Sequence, residues 1–126
     1  MAVDVLQHIN IHVADLERSK QFYTRVLGLR VGPRPPVASV GYWLYLDDQP
    51  VIHLVKQHAA GRGAEGNGAI DHVAFHGTDL EATRRLLQTD GVAFHETVIP
   101  RDGRVQLFVH DPDGVKIELN FDPPEA

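Results

Sequence analysis

The sequence contains no cysteine, which excludes a disulfide framework and any metal site built on thiolate ligands. It also lacks an apolar run of about 20 residues, the length that a membrane-spanning helix requires. The first residues show no basic segment followed by an apolar run, so we expect no signal peptide. These absences predict a cytoplasmic protein that does not associate with membranes.

An excess of charge of one sign is missing too, because 12 basic and 17 acidic residues are scattered along 126 residues and leave a net charge of −5. Proteins that bind the phosphate backbone of nucleic acids need a basic face, and none is visible here. The length suits one domain with its own core, so we expect residues 1–126 to form a single domain. Eight histidines are many for this length.

A pattern of two histidines, an aspartate and a leucine occurs twice along the chain. The two copies are His8, His12, Asp15 and Leu16, and His72, His76, Asp79 and Leu80. Each copy closes with a short apolar segment that contains one potential metal ligand, His53 in the first and Glu118 in the second. The sequence therefore predicts an internal duplication, with modules at about 5–57 and 70–121 and a glycine-rich connector at about 58–69.

Local patterns place a helix and several strands in each copy. Asp15 and Asp79 suit the N-cap of a helix because their carboxylates accept hydrogen bonds from free backbone N–H groups, and Gly28 and Gly91 suit its end. Apolar runs predict strands at residues 7–13, 40–46, 50–56, 92–98, 104–110 and 115–121. The prolines within residues 32–36 exclude a central strand, because proline donates no ladder hydrogen bond, and we expect a surface loop there.

Four side chains at matched positions of the duplication are candidate metal ligands, namely His8, His53, His72 and Glu118. Imidazole nitrogen and carboxylate oxygen suit a divalent ion such as Zn, Ni, Co, Mn or Fe. Two histidines with one carboxylate leave positions open for a substrate or water, and we predict this role for His8, His72 and Glu118. Three roles stay open for His53: it is a fourth ligand, an acid/base group or a histidine that simply packs in the fold.

Two further histidines are candidates for contact with a substrate. Strand alternation places His12 on the sheet face of His8, and His76 on the face of His72. The members of each pair are four residues, about 13 Å, apart along the strand, which argues against their joint binding of one ion. Substrate contact and plain half-burial are both open for His12 and His76.

Aromatic and basic side chains complete the set of candidates. Trp43 and Tyr45 alternate onto one strand face and offer a stacking wall for a ligand, although ordinary packing explains them as well. Arg34, Arg101 and Arg104 are candidates for binding a substrate carboxylate. A solvated surface position is the simpler expectation for each arginine.

Three motifs of the chain resemble those of the vicinal oxygen chelate superfamily. They are the run from His8 to Leu16 with Phe22-Tyr23 and Leu27-Gly28-Leu29, the segment Ile70-Asp71-His72-Val73-Ala74-Phe75, and Asp111-Pro112-Asp113-Gly114-Val115-Lys116-Ile117-Glu118-Leu119. The superfamily includes glyoxalase I, fosfomycin-resistance thiol transferases, methylmalonyl-CoA epimerase, extradiol dioxygenases and bleomycin-binding proteins. The resemblance implies an α+β fold of two tandem β-α-β-β-β modules, whose curled mixed sheets form a metal cavity. It also implies one divalent metal ion per site and a homodimer.

The same resemblance implies metal positions at His8, His53, His72 and Glu118. It favours a glyoxalase-like lyase or isomerase, which acts on a small oxygen-rich metabolite through bidentate metal chelation and proton transfer, with Glu118 or His53 as the acid/base group. An Fe(II) ring-cleaving dioxygenase of the extradiol type and a drug- or metabolite-sequestering protein of the bleomycin-resistance type are alternatives. In glyoxalase I the positions of His53 and His12 hold a glutamate and a glutathione-binding arginine, so the use of glutathione is open.

Overall fold

The structure, a computed structural model, describes residues 5–57, 70 and 72–124. The predicted connector at 58–69 lies outside the described residues. The chain divides into two units, Met1–Gly61 and Arg62–Ala126, and each contains one helix and one four-stranded mixed sheet in the order β-α-β-β-β. The predicted α+β fold class is therefore confirmed, and both sheets are open rather than closed.

The first unit is built on a sheet with one parallel and two antiparallel strand pairs. Its elements are β1 (Ile9–Val13), α1 (Leu16–Arg25), β2 (Arg30–Gly32), β3 (Gly41–Leu46) and β4 (Gln49–Lys56). The strand order is β1-β4-β3-β2, in which β1 and β4 are parallel. Asp15 caps α1 as predicted, because its Oδ1 accepts a hydrogen bond of 3.1 Å from the backbone N–H of Arg18. Helix α1 packs on β3 and β4.

Strand β2 is the element that the sequence patterns did not locate. It has three residues, lies at the edge of the sheet and pairs with β3 alone. Two of its three residues, Arg30 and Val31, are exposed, so it carries no apolar alternation that a pattern search would detect. The strand ends at Gly32, where the ring of Tyr45 lies 2.6 Å from the position of a Cβ. The prolines that follow are outside the sheet, as expected.

The second unit repeats this arrangement. Its elements are β5 (Val73–His76), α2 (Leu80–Thr89), β6 (His95–Val98), β7 (Val105–His110) and β8 (Lys116–Phe121), in the sheet order β5-β8-β7-β6. Asp79 caps α2 with an Oδ1 that accepts a hydrogen bond of 3.1 Å from the N–H of Ala82. Strand β6 begins at His95, later than predicted. In the parts of the chain that the structure describes, no helix combines the length and apolar character needed to cross a membrane.

Strand alternation gives each sheet one apolar face. In the first unit this face holds Ile11, Val13, Leu44, Ile52 and Leu54, next to Tyr23 and Val26 of the α1 segment. In the second unit the equivalent buried side chains are Val105, Leu107, Val109, Ile117, Leu119 and Phe121, with Leu87 of α2. Because side chains alternate along a strand, the candidate ligands lie on the opposite face of each sheet.

Gly41 provides a test of how closely β3 and β4 pack. A Cβ at this position would lie 2.0 Å from the carbonyl oxygen of Leu54. We expect Gly41→Ala to push the strands apart and to lower the free energy of unfolding by about 3 kcal/mol, the upper part of the usual cost of overpacking. Urea unfolding followed by circular dichroism measures this loss.

Gly91→Ala is the matched control, because a Cβ there has no neighbour within 4 Å and only the φ of +67° is unfavourable. A left-handed residue with a side chain costs about 1 kcal/mol. Equal losses in the two variants would contradict the close contact at Gly41.

Candidate metal centre

The parallel strand pair of each unit brings one histidine and one further candidate ligand together. In the first unit Asn10 of β1 pairs with His53 of β4, and in the second Ala74 of β5 pairs with Glu118 of β8. Asn10 and Ala74 each lie two residues after the first histidine of the duplicated pattern. The duplication therefore has the same strand register in both sheets, and it places the two candidates of each unit on one face.

The pair in the second unit, His72 and Glu118, lies close together on one face of the sheet. His72 Nε2 lies 3.5 Å from Glu118 Oε1, and the two side chains are 37% and 14% exposed. Two neighbouring ligands at about 2.1 Å from a zinc-like ion lie about 3.0–3.4 Å apart, so only a small adjustment separates the pair from a chelating arrangement. The other carboxylate oxygen, Glu118 Oε2, accepts a hydrogen bond of 2.8 Å from Asn120 Nδ2. A nitrogen and an anionic oxygen thus face the same space.

The pair in the first unit belongs to a stack of three rings. The centroids of His8 and His53 are 3.9 Å apart at an interplanar angle of 7°, and Trp43 covers the other face of His53 at 4.1 Å and 14°. His53 is 8% exposed. Its Nε2 lies 3.1 Å from the carbonyl oxygen of Pro50, and because a carbonyl only accepts, Nε2 carries the hydrogen and Nδ1 the lone pair.

This stack does not present its two histidines as a chelate. The lone pair of an imidazole nitrogen lies in the plane of the ring, and the planes of two stacked, nearly parallel rings with centroids 3.9 Å apart do not bring their lone pairs to one point. Among the described residues no group of three or more histidine, aspartate and glutamate side chains is arranged to hold a metal. Metal binding by His8, His53, His72 and Glu118 therefore stays a prediction, and the separation of 3.5 Å between His72 and Glu118 is compatible with it.

The electrostatic surroundings of His53 keep its ring neutral. Burial is the main cause that lowers its pKa below the usual histidine value, and the charges of His8 and Arg34 act in the same direction, against the hydrogen bond to Pro50. Arg34 is half-buried, and its terminal nitrogens donate to the carbonyl and hydroxyl oxygens of Ser39 at 2.9 and 2.8 Å. Arg34 thus differs from the solvated side chain that we expected.

The histidines predicted to contact substrate lie on the polar faces. His12 is exposed, and His76 Nε2 lies 3.2 Å from Asp122 Oδ1. Asp122 also borders a cavity of about 320 Å³ at the start of α2, lined by Gly77, Thr78, Asp79, Leu80, Phe121, Asp122 and Pro124. The four predicted metal ligands are not among these lining residues. Substrate contact by His12 and His76 stays a prediction.

Tyr45 and Arg104, two further candidates, have partners within the chain. The strand register is irregular between Leu44 and Tyr45, and the Tyr45 hydroxyl donates to the carbonyl oxygen of Pro33 at 2.5 Å. The Tyr45 ring thus lies against Gly32 of the edge strand β2, while Trp43 packs on the histidine stack. Arg104 is exposed and pairs with Asp102 through a hydrogen bond of 2.8 Å from Nε to Oδ2.

Three polar side chains near Glu118 were missed in the sequence. Asn120, Gln106 and Thr97 form a line of hydrogen bonds that ends on the Glu118 carboxylate. Alternation along β8 places Asn120 on the face of Glu118, which was a usable signal. Gln106 and Thr97 come from other strands, and only the register of β6, β7 and β8 aligns them.

The lowered pKa of His53 predicts a pH dependence of stability. A histidine with a lowered pKa binds its proton less well in the folded than in the unfolded chain, so stability is lost as the pH falls below about 6.5, the unfolded value. We expect the free energy of unfolding of metal-free protein to decrease between pH 7.5 and 5.5, with a contribution from His53 of at most about 1.4 kcal/mol per pH unit.

His53→Phe retains a flat ring for the stack. It should reduce the slope of the free energy of unfolding against pH, which is measured by urea unfolding at a series of pH values after dialysis against a chelator. The control is His110→Phe, which replaces an exposed histidine at the end of β7 and should leave the slope unchanged. A wild-type slope in His53→Phe would contradict the assignment to His53.

Known proteins are similar to this chain in both sequence and fold. A lactoylglutathione lyase of Salmonella typhimurium is 37% identical over 123 residues, which cover 90% of each chain. A glyoxylase/bleomycin resistance protein/dioxygenase domain from Frankia sp. EAN1pec superimposes with a TM-score of 0.79 at 22% identity, over 96% of this chain and 99% of that one.

A mutant of the fosfomycin resistance protein FosX from Listeria monocytogenes, in complex with Mn(II) and 1S,2S-dihydroxypropylphosphonic acid, gives a TM-score of 0.76 at 16% identity, over 95% of this chain and 93% of that one. The sequence model of the Glyoxalase/Bleomycin resistance protein/Dioxygenase superfamily matches residues 5–119. This match agrees with the resemblance in the sequence motifs, and the chain therefore belongs to the glyoxalase/bleomycin resistance protein/dioxygenase superfamily.

Proposed function

We propose that this protein is a metal-dependent lyase or isomerase of the glyoxalase type, which moves a proton next to a carbonyl group of a small oxygen-rich substrate. The observation that carries the proposal is the separation of 3.5 Å between His72 Nε2 and Glu118 Oε1 on adjacent strands. A nitrogen and a carboxylate oxygen at this distance suit one divalent ion. The 37% identity to a lactoylglutathione lyase supports the reaction class.

We propose His8, His72 and Glu118 as the ligands of this ion, and for His53 either a place as a fourth ligand or the role of the acid/base group. Their nitrogen and oxygen donors suit Zn, Ni, Co, Mn or Fe, and the fold similarity to a FosX protein crystallised with Mn(II) supports a divalent ion. When bound, the ion would supply Lewis acidity toward two oxygens of the substrate.

Two side chains are candidates for moving the proton. Glu118 Oε2 accepts the hydrogen bond from Asn120, which leaves Oε1 as the oxygen that binds the ion or accepts a proton from the substrate carbon. His53 is the second candidate, because its lowered pKa keeps the ring neutral and its Nδ1 has a lone pair. A positioned acid/base group contributes about 10²–10⁴-fold to a rate.

We propose substrate contacts for His12, His76 and Trp43, because these side chains share the polar faces with the ligands. Tyr45 and Arg104 are weaker candidates, since the Tyr45 hydroxyl and the Arg104 guanidinium already have partners. Glutathione stays open as a co-substrate, so S-lactoylglutathione belongs in the first assays beside thiol-free hydroxy ketones. A homodimeric state and a cytoplasmic location stay predictions.

A ring-cleaving dioxygenase is the second candidate function. Two histidines and one carboxylate are also the donor set of non-haem Fe(II) oxygenases. In such a reaction His53, or His12 together with His76, would act as the acid/base group. A sequestering protein without catalysis has less support, because one face of the Trp43 ring is already stacked against His53.

Glu118→Gln tests the proposed reaction. The readout is the rate at which deuterium from heavy water enters the substrate carbon next to the carbonyl. We expect this rate to fall at least about 100-fold in the variant, because the variant loses an anionic ligand and a proton acceptor. Proton nuclear magnetic resonance of the metal-supplemented reaction measures this exchange. Glu81→Gln, an exposed glutamate on α2, is the control with wild-type exchange. Full turnover by Glu118→Gln would refute the mechanism.

Removal of the metal separates the two candidate reactions. We expect a chelator to abolish activity, and added Ni, Co, Zn or Mn to restore it without consumption of oxygen, because proton transfer needs a Lewis acid but no redox change. The measurements are elemental analysis of protein purified without added metal and an oxygen electrode during turnover. Activity that returns only with iron and consumes oxygen would instead indicate the dioxygenase.

A further inference from the structure

We propose that Asn120 is a positioning residue, which holds the Glu118 carboxylate in place through a chain of side-chain hydrogen bonds that begins at Thr97. The inference rests on the proposed function, because it concerns how Glu118 is presented to a divalent ion. It adds a role for side chains on three strands, none of which is a candidate ligand.

The chain of hydrogen bonds crosses the polar face of the second sheet. Thr97 Oγ1 donates to Gln106 Oε1 at 3.1 Å, Gln106 Nε2 donates to Asn120 Oδ1 at 3.2 Å, and Asn120 Nδ2 donates to Glu118 Oε2 at 2.8 Å. The backbone register supports this alignment, since Thr97 pairs with Gln106 and Gln106 pairs with Asn120. The members from β6, β7 and β8 therefore lie in one row across the sheet.

All three bonds point in the same direction. Each amide accepts through its oxygen and donates through its nitrogen, so Asn120 cannot turn over without losing both of its bonds in the chain. Aligned hydrogen bonds polarise one another, which strengthens the last donor, the one that meets the carboxylate. The carboxylate of Glu118 only accepts, whereas the Thr97 hydroxyl can donate or accept, so the carboxylate sets the direction of the chain and Gln106 holds Asn120 in that orientation.

This arrangement gives the two carboxylate oxygens of Glu118 different roles. Asn120 occupies Oε2, while Oε1 lies 3.5 Å from His72 Nε2. A glutamate held in this way presents a single oxygen in a defined direction, so an ion gains a ligand that needs little ordering on binding. Hydrogen-bond partners of metal ligands typically contribute about 10–100-fold to metal affinity.

Among the described residues of the first unit, no side chain holds His53 in the way that Asn120 holds Glu118. The residue two positions after His53 is Val55, where the second unit has Asn120. His53 is instead oriented by the carbonyl of Pro50 and by its two stacked neighbours. The hydrogen-bonded chain is therefore specific to the unit that carries the carboxylate.

The experiment measures the affinity of metal-free full-length protein for Zn²⁺ and Co²⁺ by competition with a chromophoric chelator. We expect Asn120→Leu to bind both ions about 10–100-fold more weakly than wild type, and Gln106→Leu to show a smaller loss. Because Gln106 acts through Asn120, adding Gln106→Leu to the Asn120→Leu variant should not weaken metal binding any further. Gln88→Leu, which removes an exposed amide on α2, is the control with wild-type affinity.

The absorption spectrum of bound Co²⁺ adds a readout of ligand geometry, and we expect it to change in Asn120→Leu but not in Gln88→Leu. Wild-type affinity in Asn120→Leu, with an affinity loss in Glu118→Gln, would overturn the positioning role and leave the proposed function intact. Wild-type affinity in Glu118→Gln would instead refute the proposed metal ligand. If Asn120→Leu fails to fold, Gln106→Leu decides, and its unchanged affinity would overturn the proposal.

Discussion

The parallel pairing of the first strand with the last in each unit is the constraint on which the site depends. Parallel strands need a long crossover connection, which here consists of a helix and two strands. The pairing aligns Asn10 with His53 and Ala74 with Glu118. Because side chains alternate along a strand, a shift of the register by one residue would turn a candidate ligand toward the apolar core.

The same constraint explains why the hydrophobic core and the candidate ligands occupy opposite faces of each sheet. His53 lies between Ile52 and Leu54 in the chain, and all three are buried. The two aliphatic side chains belong to the apolar face, whereas the imidazole on the other face is covered by His8 and Trp43. A polar ring can thus be buried with one hydrogen bond to Pro50, without disturbing the hydrophobic packing behind it.

The two units use one scaffold for different kinds of donor. The first unit holds the imidazole of His53 in a stack of flat rings, where burial lowers its pKa and so disfavours its positively charged form. The second holds a carboxylate that receives an amide hydrogen bond and faces His72. Imidazole nitrogen and carboxylate oxygen are both donor types that divalent ions accept, and each unit by itself offers candidates of these types.

Much of the scaffold was predictable because it rests on local chemistry. Asp15 and Asp79 cap their helices through contacts three residues away, and most strands follow from apolar runs. Strand β2 was not predictable, since it is three residues long and exists through backbone pairing with β3. The register irregularity between Leu44 and Tyr45 is likewise a feature that no local pattern encodes.

The sequence by itself determined the duplication, the residue types able to bind a metal and the superfamily, because these are properties of residue identity and spacing. Only the tertiary structure decided that the Nε2 of His53 is engaged by Pro50, that His8 and Trp43 enclose its ring, and that Asn120 holds one oxygen of Glu118. The physical reason is that each of these contacts joins side chains whose directions are set by strand register and rotamer, and the register between distant strands arises when the whole sheet forms.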